Sequence, residues 1–359
     1  MKKSLPIPSI DPDRIKTEID NYKYVCYSIV AFEKIFTQTI SAKTNQGKKL
    51  KTSPNNVISP SETITPDLVM EVNAKNHDGY RATNEIKAWL PNDKKRWVDV
   101  VEQLKKYDDD LDEWEFLSNK KHDIMFTTDP VFTSDFKKYI EQPNIDNKLK
   151  IDRNFAIMES MLKERAINTI FIRKFSGALT DKKLDETLTS GISLPLYNIL
   201  EDIEKLKFYD SKPPDIYMMM IMWDLIFPKF VNSRQKQRDL ADNKTVELTI
   251  TVEQIQERLS KFAPESNQNC IEKSWIRSAL GGFENMKIAE ESKMNIEEST
   301  DESQANAEKF TIKYRKHTEK TLEWLLKKTQ KSEPPETVSK SDESLDHFLK
   351  NNEDKDNSA

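Results

Sequence analysis

Apolar side chains recur at intervals close to 3.6 residues over positions 20–42, which is the spacing of one face of an α-helix. The repeating positions are Tyr24, Tyr27, Ala31, Ile35 and Ile40. A second stretch with this period, residues 95–107, places Trp97, Val101 and Leu104 on one side. The pattern predicts two amphipathic helices, each with one buried face.

Short runs of apolar, β-branched and aromatic residues predict strands. The runs are 65–90, where a turn at 77–80 joins two strands, 122–129 and 168–175. Side chains alternate between the two faces of a strand, so we expect Glu85 and Lys87 on one face and Ile86, Ala88 and Leu90 on the other. These elements predict an α/β fold with a mixed sheet flanked by helices.

Two adjacent prolines, Pro213 and Pro214, end a predicted helix over 196–208 and mark a boundary in the chain. The elements predicted beyond them are a buried helix at 216–227, a strand at 246–250, helices after Thr251 and at 268–283, strands at 286–291 and 309–316, and a helix at 317–330. Gln254 forms a capping box with Thr251, and the pair Gly281-Gly282 suits a helix end. This half is expected to form an α+β domain.

Four parts of the chain follow from these patterns. We predict a flexible N-terminus over 1–14, an α/β domain over 15–212, an α+β domain over 213–330 and a disordered acidic tail over 331–359. The tail is rich in Ser, Glu, Lys, Asp and Pro, a composition that cannot bury enough apolar surface to fold.

Composition narrows the classes of function. The chain has 359 residues, a net charge of −5 and six glycines, and it contains neither a Gly-x-Gly-x-x-Gly nor a Walker pattern, which argues against a phosphate-cradling loop. Its two cysteines, Cys26 and Cys270, are far apart, which favours a reducing compartment without a disulfide framework or a zinc site. No apolar segment is long enough for a signal peptide or a membrane span, so we expect a cytoplasmic protein.

The strand pair at 65–90 carries the candidate chemistry. Asp67 and Glu85 could supply the carboxylate oxygens that Mg²⁺ prefers, and Lys87 lies on the same strand face as Glu85. A surface salt bridge between Lys87 and either carboxylate is the alternative interpretation.

Pro66-Asp67 followed by Glu85-Ile86-Lys87 resembles the motif of the PD-(D/E)xK nuclease superfamily. The resemblance implies a restriction-endonuclease-like core built from a helix, three strands, a helix and a strand. It also implies that Asp67, Glu85 and the backbone carbonyl of Ile86 bind one or two Mg²⁺ or Mn²⁺ ions. Lys87 would orient or help to deprotonate the attacking water. Glu33, on the leading helix, is a candidate outer ligand, or else a solvated side chain.

Two neighbouring features accompany that motif. Gln103 and Tyr107 are four residues apart on the second helix, and a Gln-x-x-x-Tyr at this position resembles RecB-type members of the superfamily. An ordinary surface glutamine beside a half-buried tyrosine is the alternative. His77, Tyr80 and Arg81 on the hairpin are candidates for contact with a nucleic-acid backbone, or else form an exposed turn.

The element order of the second domain resembles a winged helix. Its recognition helix would be 268–283, which offers Lys273 and Arg277 to DNA, although these residues also suit a solvated helix face. The segment in the position of the wing, 290–308, is mostly acidic, and a surface of this sign repels DNA. We therefore expect the wing to be disordered or turned away from DNA, or the module to bind protein.

An apolar group interrupts the tail. Leu345, Phe348 and Leu349 have the spacing of a short helix and resemble the PIP box, a motif that binds sliding clamps. Asp342 stands where that motif has glutamine.

These features lead to three hypotheses. The first is a Mg²⁺-dependent nuclease acting on DNA in repair, recombination or restriction. The second is a catalytically inactive nuclease-like scaffold fused to a DNA-binding or protein-binding module, and the third is a purely structural interaction protein. The sequence leaves open DNA against RNA, endonuclease against exonuclease, and a homodimer against a monomer.

Overall fold

A computed structural model describes residues 11–46, 50–51, 63–72, 80–91, 94, 97–108, 122–141, 151–163, 168–209, 211–263, 270–292, 308–317 and 319–332. The first element is helix α1 (Pro12–Ile40). Asp11 caps it by accepting a hydrogen bond from the Asp13 N–H, and Pro12 suits the first turn because it has no N–H to satisfy. The helix therefore begins earlier than the apolar repeat predicted, and residues 12–14 belong to it.

A seven-stranded mixed sheet follows, and it confirms the predicted α/β class. Its order is β1 (Lys43–Gln46), β4 (Leu68–Glu71), β5 (Arg81–Lys87), β6 (Asp123–Thr128), β7 (Phe155–Lys163), β8 (Thr169–Gly177) and β9 (Ile192–Pro195). Strands β5, β6 and β7 are parallel, and the other neighbouring pairs are antiparallel. A small separate pair joins β2 (Leu50–Lys51) to β3 (Thr63–Ile64).

Helices cover both faces of this sheet. On one face, α1, α4 (Lys182–Ser190) and α5 (Leu200–Lys205) bury side chains such as Met70 and Ile86. On the other, α2 (Trp97–Asp108) and α3 (Pro130–Ile140) pack over Val69, Phe126 and Ile157. The alternation along each strand, Val69 to one side and Met70 to the other, is what a sheet buried on both faces requires.

Several elements differ from their predictions. The prediction for Leu90 is wrong, because β5 ends at Lys87 and Leu90 packs with Trp97 on the α2 side. The predicted helix at 196–208 is shortened to a 3₁₀ turn at 196–198 followed by α5. Strand β7 and helix α3 were not predicted, and β7 lies in the middle of the sheet.

The second half of the chain has a three-stranded antiparallel sheet in the order β10 (Val246–Thr251), β12 (Lys309–Tyr314), β11 (Ala289–Ser292). Its helices are α6 (Asp215–Ile221), which continues as a π-helical turn over 222–226, α7 (Arg234–Ala241), α8 (Val252–Leu259), α9 (Lys273–Asn285) and α10 (Thr321–Ser332). The capping box of Thr251 and Gln254 is confirmed.

The predicted role of Gly281 and Gly282 as a helix end is wrong, because α9 continues to Asn285. Gly282 instead allows close packing against α6, since a β-carbon there would lie 2.7 Å from the Met219 sulfur.

The two halves share one buried core. Tyr22 of α1 stacks on Tyr209 with ring centroids 4.8 Å apart and lies 5.1 Å from the ring of Tyr217 in α6. The Tyr217 hydroxyl donates to the Lys207 carbonyl at 3.2 Å. The segment between α5 and α6 is therefore fixed against α1 by aromatic contacts. Within the described ranges, no helix has the length and apolar character needed to cross a membrane.

Candidate active site

Asp67 and Glu85 meet where β4 begins and β5 ends. Leu68 pairs with Asn84 in the antiparallel register, so the next step along the ladder sets Asp67 opposite Glu85. The Asp67 carboxylate accepts a hydrogen bond of 2.8 Å from the Ile86 N–H. Both carboxylates are buried, with exposed fractions of 7% for Asp67 and 1% for Glu85. The expected pair of carboxylates is thus brought together.

Glu85 is held by two side chains of the predicted set, and a third supports one of these two. Its Oε1 forms an ion pair with the Lys87 ammonium, and its Oε2 accepts a hydrogen bond of 2.6 Å from the Tyr107 hydroxyl. Gln103 Nε2 donates in turn to the Tyr107 oxygen at 2.9 Å. Gln103 and Tyr107 therefore form a relay from α2 to the strand. The half-buried tyrosine of the alternative interpretation is wrong, because Tyr107 is fully buried.

The charge of Lys87 is fixed by this arrangement. Burial lowers the pKa of Lys87, but the neighbouring carboxylates of Glu85 and Asp67 outweigh burial and raise that pKa above its ordinary value. Burial and Glu85 likewise raise the pKa of Tyr107. At neutral pH the cluster therefore presents a cation at Lys87 and a proton donor at Tyr107.

An open cleft of about 550 Å³ reaches the cluster through Lys87. One wall is α1, with Glu18 and Tyr22, and the other is the segment before α6, with Tyr209 and Lys212. Burial raises the pKa of Tyr209, and the neighbouring charge of Asp67 adds to this increase. Tyr209 was not predicted, because only the folded chain brings it to residues more than a hundred positions earlier.

A second cleft of about 360 Å³ lies on the α2 side of the cluster. It is lined by Thr63, Thr65, Asp99, Gln103 and Tyr107, among others. The cluster therefore has a cleft on each side, and Lys87 lines one cleft while Tyr107 lines the other.

Glu33 lies away from these carboxylates. Its Oε1 accepts a hydrogen bond of 3.0 Å from the Thr44 hydroxyl. In the sheet, Thr44 is opposite Met70 and Met70 is opposite Ala82, which precedes Glu85 by three residues along β5. The carboxylate that α1 brings to the cleft is Glu18, which lies two residues before the start of the predicted helix at residue 20. It is paired with Arg14 at 3.0 Å.

The predicted nucleic-acid contacts do not adjoin the cluster. Arg81 opens β5, four residues and about 13 Å from Glu85 at the usual strand rise. Tyr80 is buried and donates to Asp123 at 2.7 Å, so the exposed turn expected for it is wrong. His77 lies outside the described residues, as do Leu345, Phe348 and Leu349 of the tail.

Lys273 and Arg277 lie on α9 as predicted, but each is matched by a carboxylate. Lys273 pairs with Glu253 at 2.7 Å and Arg277 with Glu308 at 2.7 Å. Both pairs are exposed to solvent, so they neutralise the positive face of α9 without burying it.

A second buried glutamate, Glu159 of β7, was not predicted. It accepts hydrogen bonds from Arg173 at 3.0 and 2.6 Å and from the Thr133 hydroxyl at 3.1 Å. The sequence feature that could have indicated it is one acidic residue within the mostly apolar run FAIMESML at 155–162. Such a residue in a buried strand needs a partner, and the antiparallel register supplies Arg173 directly opposite.

The carboxylates of the cluster, Asp67 and Glu85, are its candidate metal ligands. Within the described ranges, no group of three or more His, Cys, Asp and Glu side chains is placed to bind a metal ion. Asp67 and Glu85 make a two-carboxylate site, which fits an ion such as Mg²⁺ that keeps most of its waters but not one that requires a full set of protein ligands.

Comparisons of the chain with models of protein families, with curated proteins and with solved structures give no match. The geometry described above is therefore the basis for assigning a function.

Proposed function

We propose that the protein is a Mg²⁺-dependent nuclease that hydrolyses phosphodiester bonds in DNA. The observation that carries this proposal is the meeting of Asp67, Glu85 and Lys87 at the ends of two paired strands. The relay from Gln103 through Tyr107 to Glu85 supports it, because a catalytic group needs its orientation fixed by a neighbour.

The architecture around the motif also supports the proposal. The order α1, β1, β4, β5, α2, β6 follows the helix, three strands, helix and strand of the restriction-endonuclease-like core, once the small pair β2–β3 is set aside. The first three of these strands form an antiparallel meander, and β6 adds to β5 in parallel. Fold alone does not establish activity, so the residues of the site carry the proposal.

Each residue of the cluster has a role in this mechanism. Asp67, Glu85 and the Ile86 carbonyl would hold the ion, which supplies Lewis-acid polarisation of the scissile phosphate. Lys87, protonated because of its carboxylate neighbours, stabilises the negative charge that grows on the phosphoryl oxygens. Tyr107 holds Glu85 in place through its hydroxyl proton.

Cleavage assays test the proposal directly. Labelled single-stranded, duplex and branched DNA, with single-stranded RNA beside them, are incubated with Mg²⁺ or Mn²⁺. Lys87→Ala should lower the cleavage rate by about 100-fold or more, as expected for removal of a charge that stabilises the transition state. The matched control is Lys205→Ala, because Lys205 also pairs with a glutamate but lies on the exposed face of α5. Equal rates for Lys87→Ala and the wild type, or no cleavage of any substrate, would reject the nuclease.

The second candidate is a catalytically inactive scaffold whose C-terminal module binds protein. The sheet order β10, β12, β11, with α8 and α9 between β10 and β11 along the chain, supports a winged-helix-like module. The pairing of Lys273 with Glu253 and of Arg277 with Glu308 favours a protein partner over DNA for that module.

Metal binding separates the two candidates. In the nuclease, Mn²⁺ should raise the melting temperature of the wild type by mass action, and Asp67→Asn should abolish the increase. A scaffold without a metal site should show no increase in either protein.

A further inference from the structure

Trp89 stands exposed beside the candidate active site. It follows Lys87 by two residues, just beyond the end of β5, and 49% of its surface is exposed. The other described tryptophans are Trp97, Trp223, Trp275 and Trp324, which are between 3% and 8% exposed. An exposed indole beside a lysine offers a face on which a planar group can stack and a cation that can contact an anion.

Trp89 and Lys87 line the same cleft. Its volume of about 550 Å³ lies within the range of small-molecule sites and suits one nucleotide unit. Lys212, half exposed and 3.1 Å from Asp215, stands on the opposite wall. The cleft therefore offers an aromatic face together with two ammonium groups, the combination that single-stranded nucleic acids require.

Charge alone cannot account for substrate binding in this protein. The chain carries a net charge of −5, and the cations of α9 are matched by Glu253 and Glu308. In the cleft itself, Glu18 and Asp215 offset part of the positive charge. Stacking of a base on an aromatic ring depends little on net charge, so it can supply affinity that phosphate contacts do not.

We propose that Trp89 stacks on an unpaired base next to the phosphate held at Lys87, so that the substrate of this site is a single-stranded or locally unpaired nucleic acid. This inference rests on the proposed function and specifies its substrate. In a duplex both faces of each base are covered by neighbouring bases, whereas an unpaired base can leave the stack and cover the indole.

Binding assays in EDTA test this proposal without any cleavage. The probe is a fluorescein-labelled 15-nucleotide single strand at low salt, and the same strand annealed to its complement serves for comparison. Trp89→Ala should weaken single-strand binding roughly tenfold, Trp89→Phe should restore most of the affinity, and duplex binding should not change. Tyr197→Ala is the matched control, because Tyr197 is an aromatic residue that is 67% exposed and does not line the cleft.

Fluorescence gives a second measurement. The single strand should quench tryptophan emission in the wild type and much less in Trp89→Phe. Equal single-strand affinity in Trp89→Ala and wild type, an equal loss for duplex, or no binding of single strands by the wild type would overturn the proposal. Failure of the nuclease would appear differently, as Trp89-dependent binding without cleavage in Mg²⁺ or Mn²⁺.

Discussion

Two buried glutamates on the same face of the large sheet each contact a cation and a hydroxyl group, but they differ in their other neighbours. Glu159 is 4% exposed and is enclosed by two hydrogen bonds from Arg173 and one from Thr133. Glu85 is 1% exposed and pairs with Lys87, but it also faces a second carboxylate, Asp67, across the strand pair. One glutamate has its charge balanced by a close-fitting partner, whereas the other belongs to a cluster with two carboxylates and one lysine beside an open cleft.

This difference separates a structural ion pair from the candidate site. A buried carboxylate that serves only stability is expected to be fully satisfied by donors, as Glu159 is. Two adjacent carboxylates repel each other, and proteins retain such an arrangement where binding a cation offsets the cost. The comparison predicts that neutralising the two clusters changes stability with opposite signs.

Glu159→Gln should give the largest change. The amide cannot match the charged contact with Arg173, and we expect the free energy of unfolding to fall by about 2 kcal/mol, a value reduced because Arg173 is 46% exposed. Urea unfolding followed by circular dichroism measures this value. Glu201→Gln, which breaks the fully exposed pair with Lys205, is the control and should leave the midpoint unchanged. A neutral result for Glu159→Gln would remove the contrast between the clusters.

The ion pair of Glu159 and Arg173 could not be predicted from the sequence, whereas most residues of the Glu85 cluster could. The alternation of a strand and the spacing of a helix are local patterns that place each side chain on one face of its element. They are enough to place Glu85 and Lys87 on β5 and Gln103 and Tyr107 on α2. Asp67 could be added because a short hairpin joins its strand to β5.

Strand β7 was missed because its sequence, FAIMESMLK, is rich in Met, Leu, Glu and Lys, residues that favour helices. Its strand conformation comes from the sheet, where it pairs in parallel with β6 and in antiparallel with β8. Tyr209 and Lys212 were missed for a related reason, since the cleft they line with Lys87 exists only after the two halves pack together.

Acid should destabilise the fold at helix α2, which carries Tyr107 of the Glu85 cluster. His122 is buried, and its Nε2–H donates to the Tyr107 carbonyl at 2.6 Å. Burial, followed by the charges of Arg153 and Arg81, lowers the pKa of His122 to about 3, well below its value in the unfolded chain. Folding therefore favours the neutral ring. This stability is complete above about pH 6.5 and is lost as the pH falls from 6.5 toward 3.

The loss should amount to about 2 kcal/mol between pH 6.5 and pH 5, from about 1.4 kcal/mol for each pH unit in this window. Urea unfolding of the wild type and His122→Gln across this range measures it, because glutamine keeps a donor but does not titrate. The variant should lose less stability than the wild type as the pH falls. Parallel pH profiles for the two proteins would show that His122 does not support α2 in this way.

Asp67→Asn should produce the smallest change and the one that discriminates most sharply. The asparagine oxygen can still accept the hydrogen bond from the Ile86 N–H, so the variant removes one negative charge beside Glu85 and keeps that hydrogen bond. In EDTA we expect the free energy of unfolding to rise by up to about 1 kcal/mol, because repulsion between the two carboxylates is relieved. Mn²⁺ should reverse the order, since only the wild type gains stability from the ion. A variant less stable than the wild type in EDTA would show that the Asp67 charge is balanced as that of Glu159 is, and the cluster would then be a structural pair.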